Sequence, residues 1–296
     1  MFRTGYHLVD ISPWPFSGAM SVLGITTSLV GYFHRAPLMW VYIFGSVSLF
    51  LLIFTMIRWW SDVVVESTYL GCHTSLVVRN LRVGMVLFIL SEVFFFVSFF
   101  WAFFHVSIGE ISMRTIGQWP PLGVKAIYPW KVPALNTAIL LGSGMSVTWA
   151  HKAVSVHNKC PSGVMNPDAS SESMLPEEYN NLVEKGSCYQ KQAIFSMVLT
   201  VALGAFFMCI QYEEYFMASF TIADSAFGST FFIMTGFHGM HVFVGTVFLF
   251  ICTLRLVYRH FSYNHHYFGL DAAIWYWHFV DVVWIGLFFA VYVWGY

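Results

Sequence analysis

Apolar residues dominate long stretches of the chain, and shorter polar segments separate these stretches. A bilayer core about 30 Å thick requires about 20 mostly apolar residues in a helix, and seven stretches fit that length. They cover residues 16–33, 39–60, 82–104, 133–150, 192–212, 225–258 and 272–294. The pattern therefore predicts an all-α membrane protein with seven transmembrane helices.

The longest polar segment, residues 152–191, is rich in Pro, Ser, Asn and Glu. This composition predicts a solvent-exposed loop. Within it, the run LPEEYNNLVEK predicts a short helix, because Pro suits a first helical turn that acidic residues follow. A second segment, GQWPPLGVKAIYPWKVP, predicts the loop between the third and fourth helices.

The composition supports a lipid environment. Hydrophobic residues make up 58% of the chain and charged residues only 10%, whereas soluble domains contain about 25% charged residues. The net charge of -1 offers no concentrated basic surface, which excludes a nucleic-acid partner. The five cysteines lack the close spacing of a zinc or redox motif, so we interpret them as reduced packing residues.

Basic residues are distributed unequally between the two sides of the predicted membrane. Of the 14 Lys and Arg residues, ten fall on the N-terminal side and four on the other. Because Lys and Arg accumulate on the side where a chain is synthesised, we expect the N-terminus in the matrix or cytoplasm. The N-terminal run MFRTGYHLVDISPWPF lacks an import-signal pattern, which favours the mitochondrial inner membrane over a bacterial plasma membrane.

One acidic residue, Glu92, lies in the middle of the apolar run VGMVLFILSEVFFFVSFFWAFFH. Ionisable residues inside a membrane are costly and need a partner or a role. Two interpretations remain open. Glu92 is either a proton-active or ligand-lining acid, or a carboxyl that bonds a neighbouring helix through Ser91 or a facing hydroxyl.

Two histidines, His238 and His241, lie three residues apart on one helix face in TGFHGMHV. A metal site is one possibility, but the helix offers no nearby carboxylate or Cys to complete four ligands. Gly236 and Gly239 favour close helix packing, with the imidazoles as interhelical hydrogen-bond donors. The structural interpretation is therefore preferred.

The last predicted helix contains His278 and Asp281 three residues apart. We expect these groups to satisfy each other or a neighbouring helix, and a proton path is the alternative. The spacing of His265 and His278 could suggest stacked haems. However, His265 falls in a loop and no second helix repeats the spacing, so haem binding is not predicted.

Seven sequence segments along the chain resemble those of a known family, and they occur in the same order as in that family. They are HLVDISPWPFSGA, RWWSDVVVEST, RVGMVLFILSEVFFFVSFFWAFFH, WPPLGV, VPALNTAILLGSGMSVTWAH, GSTFFIMTGFHGMHV and WYWHFVDVVWIGLFF. Together they resemble subunit III of the haem-copper cytochrome c oxidases, over the chain from about His7 to its C-terminus.

The resemblance implies a particular arrangement of the helices. The chain is expected to be a single transmembrane domain, 1–296, in which a two-helix arm, 16–60, leans away from a five-helix bundle, 79–296. A V-shaped lipid-filled cleft is expected between them. Residues 152–191 are expected to be a loop insertion on the matrix side.

The resemblance also implies a non-catalytic role in respiratory complex IV, which reduces oxygen to water and pumps protons. Haem a, haem a3 and copper would belong to partner subunits, and this chain would hold no metal or haem of its own. Its expected partners are subunits I and II, accessory subunits and bound phospholipids. The expected location is the mitochondrial inner membrane, with several membrane passes.

Several residues match the family's lipid-binding or cleft positions. Glu92 matches the intramembrane acid beside the cleft. Anionic lipid head groups are expected to contact the basic residues among the matched positions. The remaining matched positions are Trp60, Glu66, His73, Arg255, Arg259, His265 and His266.

This chain departs from the family pattern at three places, two of which lie beside predicted lipid positions. Val65 replaces an Arg that could contact a lipid phosphate, and Cys72 replaces a His. These two changes lead us to expect a lipid selectivity that differs from that of other members. The segment 152–191 is also longer than the family's short connection.

Two rival functions remain. One is an independent proton or ion carrier built around Glu92, His238 and Asp281, which would move ions in liposomes without partners. The other is a quinol oxidase subunit III, against which the two leading helices argue.

Overall fold

The computed structural model describes residues 5–109, 119–157, 176–261 and 267–296, with the backbone alone for 176–183. Within these ranges the regular structure is helical, and the predicted all-α class is confirmed. Seven α-helices are present in the described ranges, and a π-helical turn, Phe288–Val293, continues the last. They are α1 Trp14–Phe33, α2 Leu38–Thr68, α3 Ser75–Ile108, α4 Val132–His157, α5 Pro176–Met217, α6 Ala226–Val257 and α7 Phe268–Leu287.

Local sequence signals explain several helix starts. Pro13 and Pro37 occupy the N-cap positions of α1 and α2, and Pro176 is the first residue of α5. Proline suits these positions because its missing N–H would have no partner within the helix. At α6, the Ser225 side chain accepts a hydrogen bond from the Gly228 N–H at 3.2 Å, which satisfies one free donor of the first turn.

Six helical segments in the described part of the chain are long and apolar enough to cross a membrane. They are α1, α2, α3, Glu184–Met217, α6 and Phe268–Val293. The predicted fourth span lies in α4, which is outside that set. The polar residues Asn136, Ser143 and Ser146 lower the hydropathy of α4. They are buried because α4 packs on α5 and α7.

The predicted loop, 152–191, is shorter than expected, because α4 continues to His157 and α5 already begins at Pro176. Of the LPEEYNNLVEK segment, residues 176–185 are therefore the first part of α5 rather than a separate helix. No strong helix breaker separates it from the apolar span that follows. His157 Nδ1 lies 2.8 Å from the Gly186 carbonyl oxygen and joins the two helices. Residues 158–175 lie outside the described residues.

The chain divides into two compact units, one ending at Asn80 and the other beginning at Leu81. In the first, α1 and α2 pack through small residues. Ser21, Ser28 and Ser48 are buried there, and a side chain at Gly24 would overlap Ser48. Small residues let helix backbones approach closely in a membrane. The V-shaped lipid-filled cleft stays a prediction.

The second unit is built around α7, its most buried helix. The indole N–H of Trp277 donates to Ser143 Oγ at 2.9 Å, and that of Trp284 donates to Thr137 Oγ1 at 3.0 Å. Both bonds tie α7 to α4. Aromatic contacts attach α3 to α6, with Phe95 and Phe99 packed on Phe237 at ring-centroid distances of 5.2 and 5.3 Å. This packing positions the polar groups described next.

Candidate functional site

Glu92 on α3 bonds His241 on α6. Glu92 Oε2 lies 2.9 Å from His241 Nε2, and His241 Nδ1 lies 2.7 Å from the Phe237 carbonyl oxygen. The Ser91 hydroxyl donates to the Phe88 carbonyl oxygen instead. Glu92 therefore bonds a neighbouring helix through an imidazole, whereas one of the two interpretations that the sequence left open expected a bond through Ser91 or a facing hydroxyl.

The hydrogen-bond pattern limits the proton content of this pair. A carbonyl oxygen only accepts, so His241 Nδ1 must carry a hydrogen. The bond between Nε2 and Oε2 then requires one further proton, held either by the carboxyl or by the imidazole. The pair is a carboxylic acid with a neutral imidazole, or a carboxylate with an imidazolium. Both forms have no net charge, which suits a membrane interior.

His238 has a different partner from His241. It is fully buried, and its Nε2 lies 3.2 Å from the Val280 carbonyl oxygen of α7. Its ring packs against Phe207 and Trp284 at centroid distances of 5.8 and 5.0 Å. This geometry is that of an interhelical donor. Within the described residues, no group of three or more His, Cys, Asp or Glu side chains is placed to hold a metal ion.

His278 and Asp281 lie close to each other and to α4. His278 Nδ1 is 3.8 Å from Asp281 Oδ2, and Thr148 Oγ1 is 3.4 Å from His278 Nε2. The Asp281 carboxyl rests on Gly144, where a side chain would come within 2.6 Å of Oδ2. The two groups thus face both each other and a neighbouring helix.

A third acid, Asp271, joins three helices near the start of α7. Its Oδ2 lies 3.1 Å from Arg82 Nη2 of α3, and its Oδ1 lies 3.1 Å from His151 Nε2 of α4. Asp271 itself is buried, whereas both partners are partly exposed. The sequence analysis missed this cluster, although an acid in a first helical turn was a usable signal.

Another polar cluster lies at the other end of α7, around Glu214. Tyr292 of the π-helical turn donates to Glu214 Oε1 at 2.7 Å. Gln211 Nε2 donates to Tyr292 at 3.3 Å, and Asn136 Nδ2 donates to Gln211 Oε1 at 3.1 Å. The sequence analysis missed Glu214 because it ended the fifth span at residue 212, whereas α5 continues to Met217.

The three predicted lipid-contacting residues of the first unit lie near the end of α2. Trp60 is exposed. His7, which sequence reasoning missed, lies between the other two: its Nε2 is 3.3 Å from Glu66 Oε2, and its ring is 6.2 Å from that of His73. His7 and Glu66 are close enough to form an ion pair when the imidazole carries a charge. Lipid contact at these residues stays a prediction.

The predicted basic positions lie at the end of α6. The Arg255 guanidinium stacks over Phe261 at 4.6 Å from the ring centroid. Burial, together with the charge of Arg255, lowers the pKa of His260. Arg259 has a φ of 59° just beyond the helix. His265 and His266 lie outside the described residues.

Comparisons with known proteins agree over nearly the whole length. The family model described as cytochrome c oxidase subunit III matches residues 4–165 and 179–296. A protein from Coturnix japonica named cytochrome c oxidase subunit 3 is 47% identical over 290 residues, covering 98% of this chain and 97% of the relative. One of the same name from Pisaster ochraceus is also 47% identical, covering 98% and 97%. Another from Heterololigo bleekeri is 45% identical over 296 residues, covering 100% of both chains. The chain therefore belongs to the cytochrome c oxidase subunit III family.

Proposed function

We propose that this chain is a non-catalytic subunit of a cytochrome c oxidase of the mitochondrial inner membrane, where it packs on subunit I. The observation that carries the proposal is the family match, which extends over both units of the chain. In this role the chain supports the reduction of oxygen to water and the coupled pumping of protons. Haem a, haem a3 and copper belong to partner subunits.

The use of the intramembrane polar groups supports a structural role. Glu92 bonds His241 between α3 and α6, and His238 bonds the Val280 carbonyl between α6 and α7. Asp271 connects α3, α4 and α7. Polar groups that join helices in this way hold a bundle in one arrangement. A rigid bundle is a suitable support for a catalytic neighbour.

The phospholipid part of the proposal rests on the end of α2. His7 contacts both Glu66, near the end of α2, and His73, in the segment that follows this helix, and the exposed Trp60 precedes Glu66 on α2. Tryptophan beside polar groups is typical of the membrane interface. A carboxylate and imidazoles there offer hydrogen-bond partners to the amine and phosphate of a head group.

Removing this chain from a purified oxidase tests the non-catalytic role. We expect the haem and copper spectra of the remaining subunits to stay unchanged, because their ligands lie elsewhere. Loss of haem together with this chain would contradict the proposal. The isolated chain in liposomes provides the second arm: we expect no ion movement, whereas proton or ion flux would favour the carrier built around Glu92, His238 and Asp281.

A further inference from the structure

Two adjacent acids near the end of α5 differ in their surroundings. Glu213 is exposed, whereas only 5% of Glu214 is accessible. Neighbouring positions on a helix point about 100° apart, so one carboxyl faces outward and the other enters the bundle. The pair therefore offers one buried acid and one matched exposed control.

The buried carboxyl has only one of its two oxygen atoms bonded. Tyr292 donates to Oε1 at 2.7 Å, and this phenol itself accepts from Gln211. Glu214 Oε2 is buried and has no hydrogen-bond partner, and the same holds for Oδ1 of Asn136 in the same cluster. Native proteins rarely leave two buried acceptors of one cluster without a donor.

The surroundings of Glu214 contain no compensating charge. Across the described residues, no basic side chain forms an ion pair with it. The side chains of its cluster, Asn136, Gln211 and Tyr292, are amides and a phenol. The adjacent Tyr215 donates to Thr235 at 2.8 Å. The desolvation cost of a buried carboxylate exceeds what one phenol hydrogen bond returns.

We propose that Glu214 is a proton-binding site, held as a neutral carboxylic acid whose proton resides on Oε2. With this proton, Glu214 Oε2 becomes a hydrogen-bond donor. The same cluster contains an acceptor that lacks a donor, Asn136 Oδ1. Tyr292 continues to donate to Oε1. The neutral acid thus joins α5 to the π-helical turn without placing a charge inside the bundle. This inference does not depend on the proposed function.

Infrared spectroscopy of the purified protein, in whatever assembly it is isolated, tests the protonation state. In the Glu214→Gln variant we expect the loss of one C=O stretching band of a protonated carboxyl. In the matched Glu213→Gln variant we expect only the loss of carboxylate bands. If Glu214→Gln also removes carboxylate bands alone, Glu214 is ionised and the proposal is overturned.

Stability provides a second, independent readout. Glutamine matches the shape of the neutral acid and supplies a donor, so we expect Glu214→Gln to unfold at the same temperature as Glu213→Gln. Glu214→Ala removes the acceptor of Tyr292 and is expected to unfold at a lower temperature. A Glu214→Gln variant as unstable as Glu214→Ala would contradict a neutral acid.

Discussion

The hydrogen bond between Glu92 and His241 leaves the pair without net charge, whichever partner holds the proton. The proton count follows from two contacts of His241, that of Nδ1 with the Phe237 carbonyl oxygen and that of Nε2 with Glu92 Oε2. His238 and Asp271 likewise bond across helices. At the scale of single residues, the polar groups of the second unit therefore act in helix-joining pairs.

Substitutions at Glu92 test this pairing. Glu92→Gln can donate from its amide to Nε2 of a neutral imidazole, so we expect stability close to that of the unchanged protein. Glu92→Ala leaves the His241 imidazole without its partner and is expected to cost about 1–3 kcal/mol. Thermal unfolding of both variants measures the difference, with the exposed Glu213→Ala as control. Equal losses of stability for Glu92→Gln and Glu92→Ala would contradict a hydrogen bond between Glu92 and His241.

A double-mutant cycle tests the Asp271 cluster. We expect Asp271→Ala to cost about 2 kcal/mol, because a buried carboxylate bond to a charged partner is lost. Arg82→Ala should cost less, since the Arg82 side chain is 44% exposed. In the double variant the two losses should not add. Additive losses would show that Arg82 and Asp271 do not interact in the folded protein.

Sequence reasoning could identify Glu92, His238, His241, His278 and Asp281 because a polar residue inside an apolar run is rare and costly. It could pair His278 with Asp281, which are neighbours on one helix, but it could not identify the partners of the other three. The His241 imidazole is 149 positions away from Glu92, and only packing brings them together. Glu214 and Asp271 were missed for a different reason: they lie near helix ends, where acids are ordinary.

At the scale of helices, the apolar pattern predicted the position of each helix but not its ends. Hydropathy reports the lipid-exposed length, whereas helices continue into water as long as hydrogen bonds and propensity allow. This explains why α2 extends to Thr68 and why α5 has 42 residues. Polar side chains inside the bundle also lower the hydropathy of α4 without ending the helix.

The small-residue contact between α1 and α2 gives a prediction at this scale. In Gly24→Ala the added methyl overlaps Ser48, and we expect destabilisation of about 1–3 kcal/mol from overpacking. Gly18→Ala is the matched control, because its methyl would lie 3.9 Å from Thr55, an ordinary contact. Alanine has the higher helix propensity, so this control should be neutral or slightly stabilising. Thermal unfolding measures both, and equal effects would contradict close packing at Gly24.

At the scale of the whole molecule, the family match and the six long apolar segments of the described residues place the chain among integral membrane subunits. One departure from the pattern that the family resemblance implies is Val65, which is 41% exposed and precedes the predicted lipid position Glu66. Loss of a basic residue there removes an attraction for anionic head groups. The lipid population bound to the protein should reflect this difference.

Restoring a basic side chain tests that expectation. A cation near an anionic lipid contributes about 1 kcal/mol, so Val65→Arg should raise the retained anionic phospholipid about fivefold. Quantitative mass spectrometry of lipids in the purified protein measures the change. Val63→Arg, at a similarly exposed position of α2, is the control. An equal rise in retained anionic phospholipid in both variants would contradict a specific effect of the position beside Glu66 and His73.

Membership of a working oxidase is the central claim, and gentle detergent purification through a tag on this chain tests it most directly. The optical spectrum and the mass spectra of co-purifying proteins would be recorded on the same sample. We predict haem a absorption together with oxidase subunits I and II. A colourless protein without these partners would contradict the account and would favour a carrier that works alone.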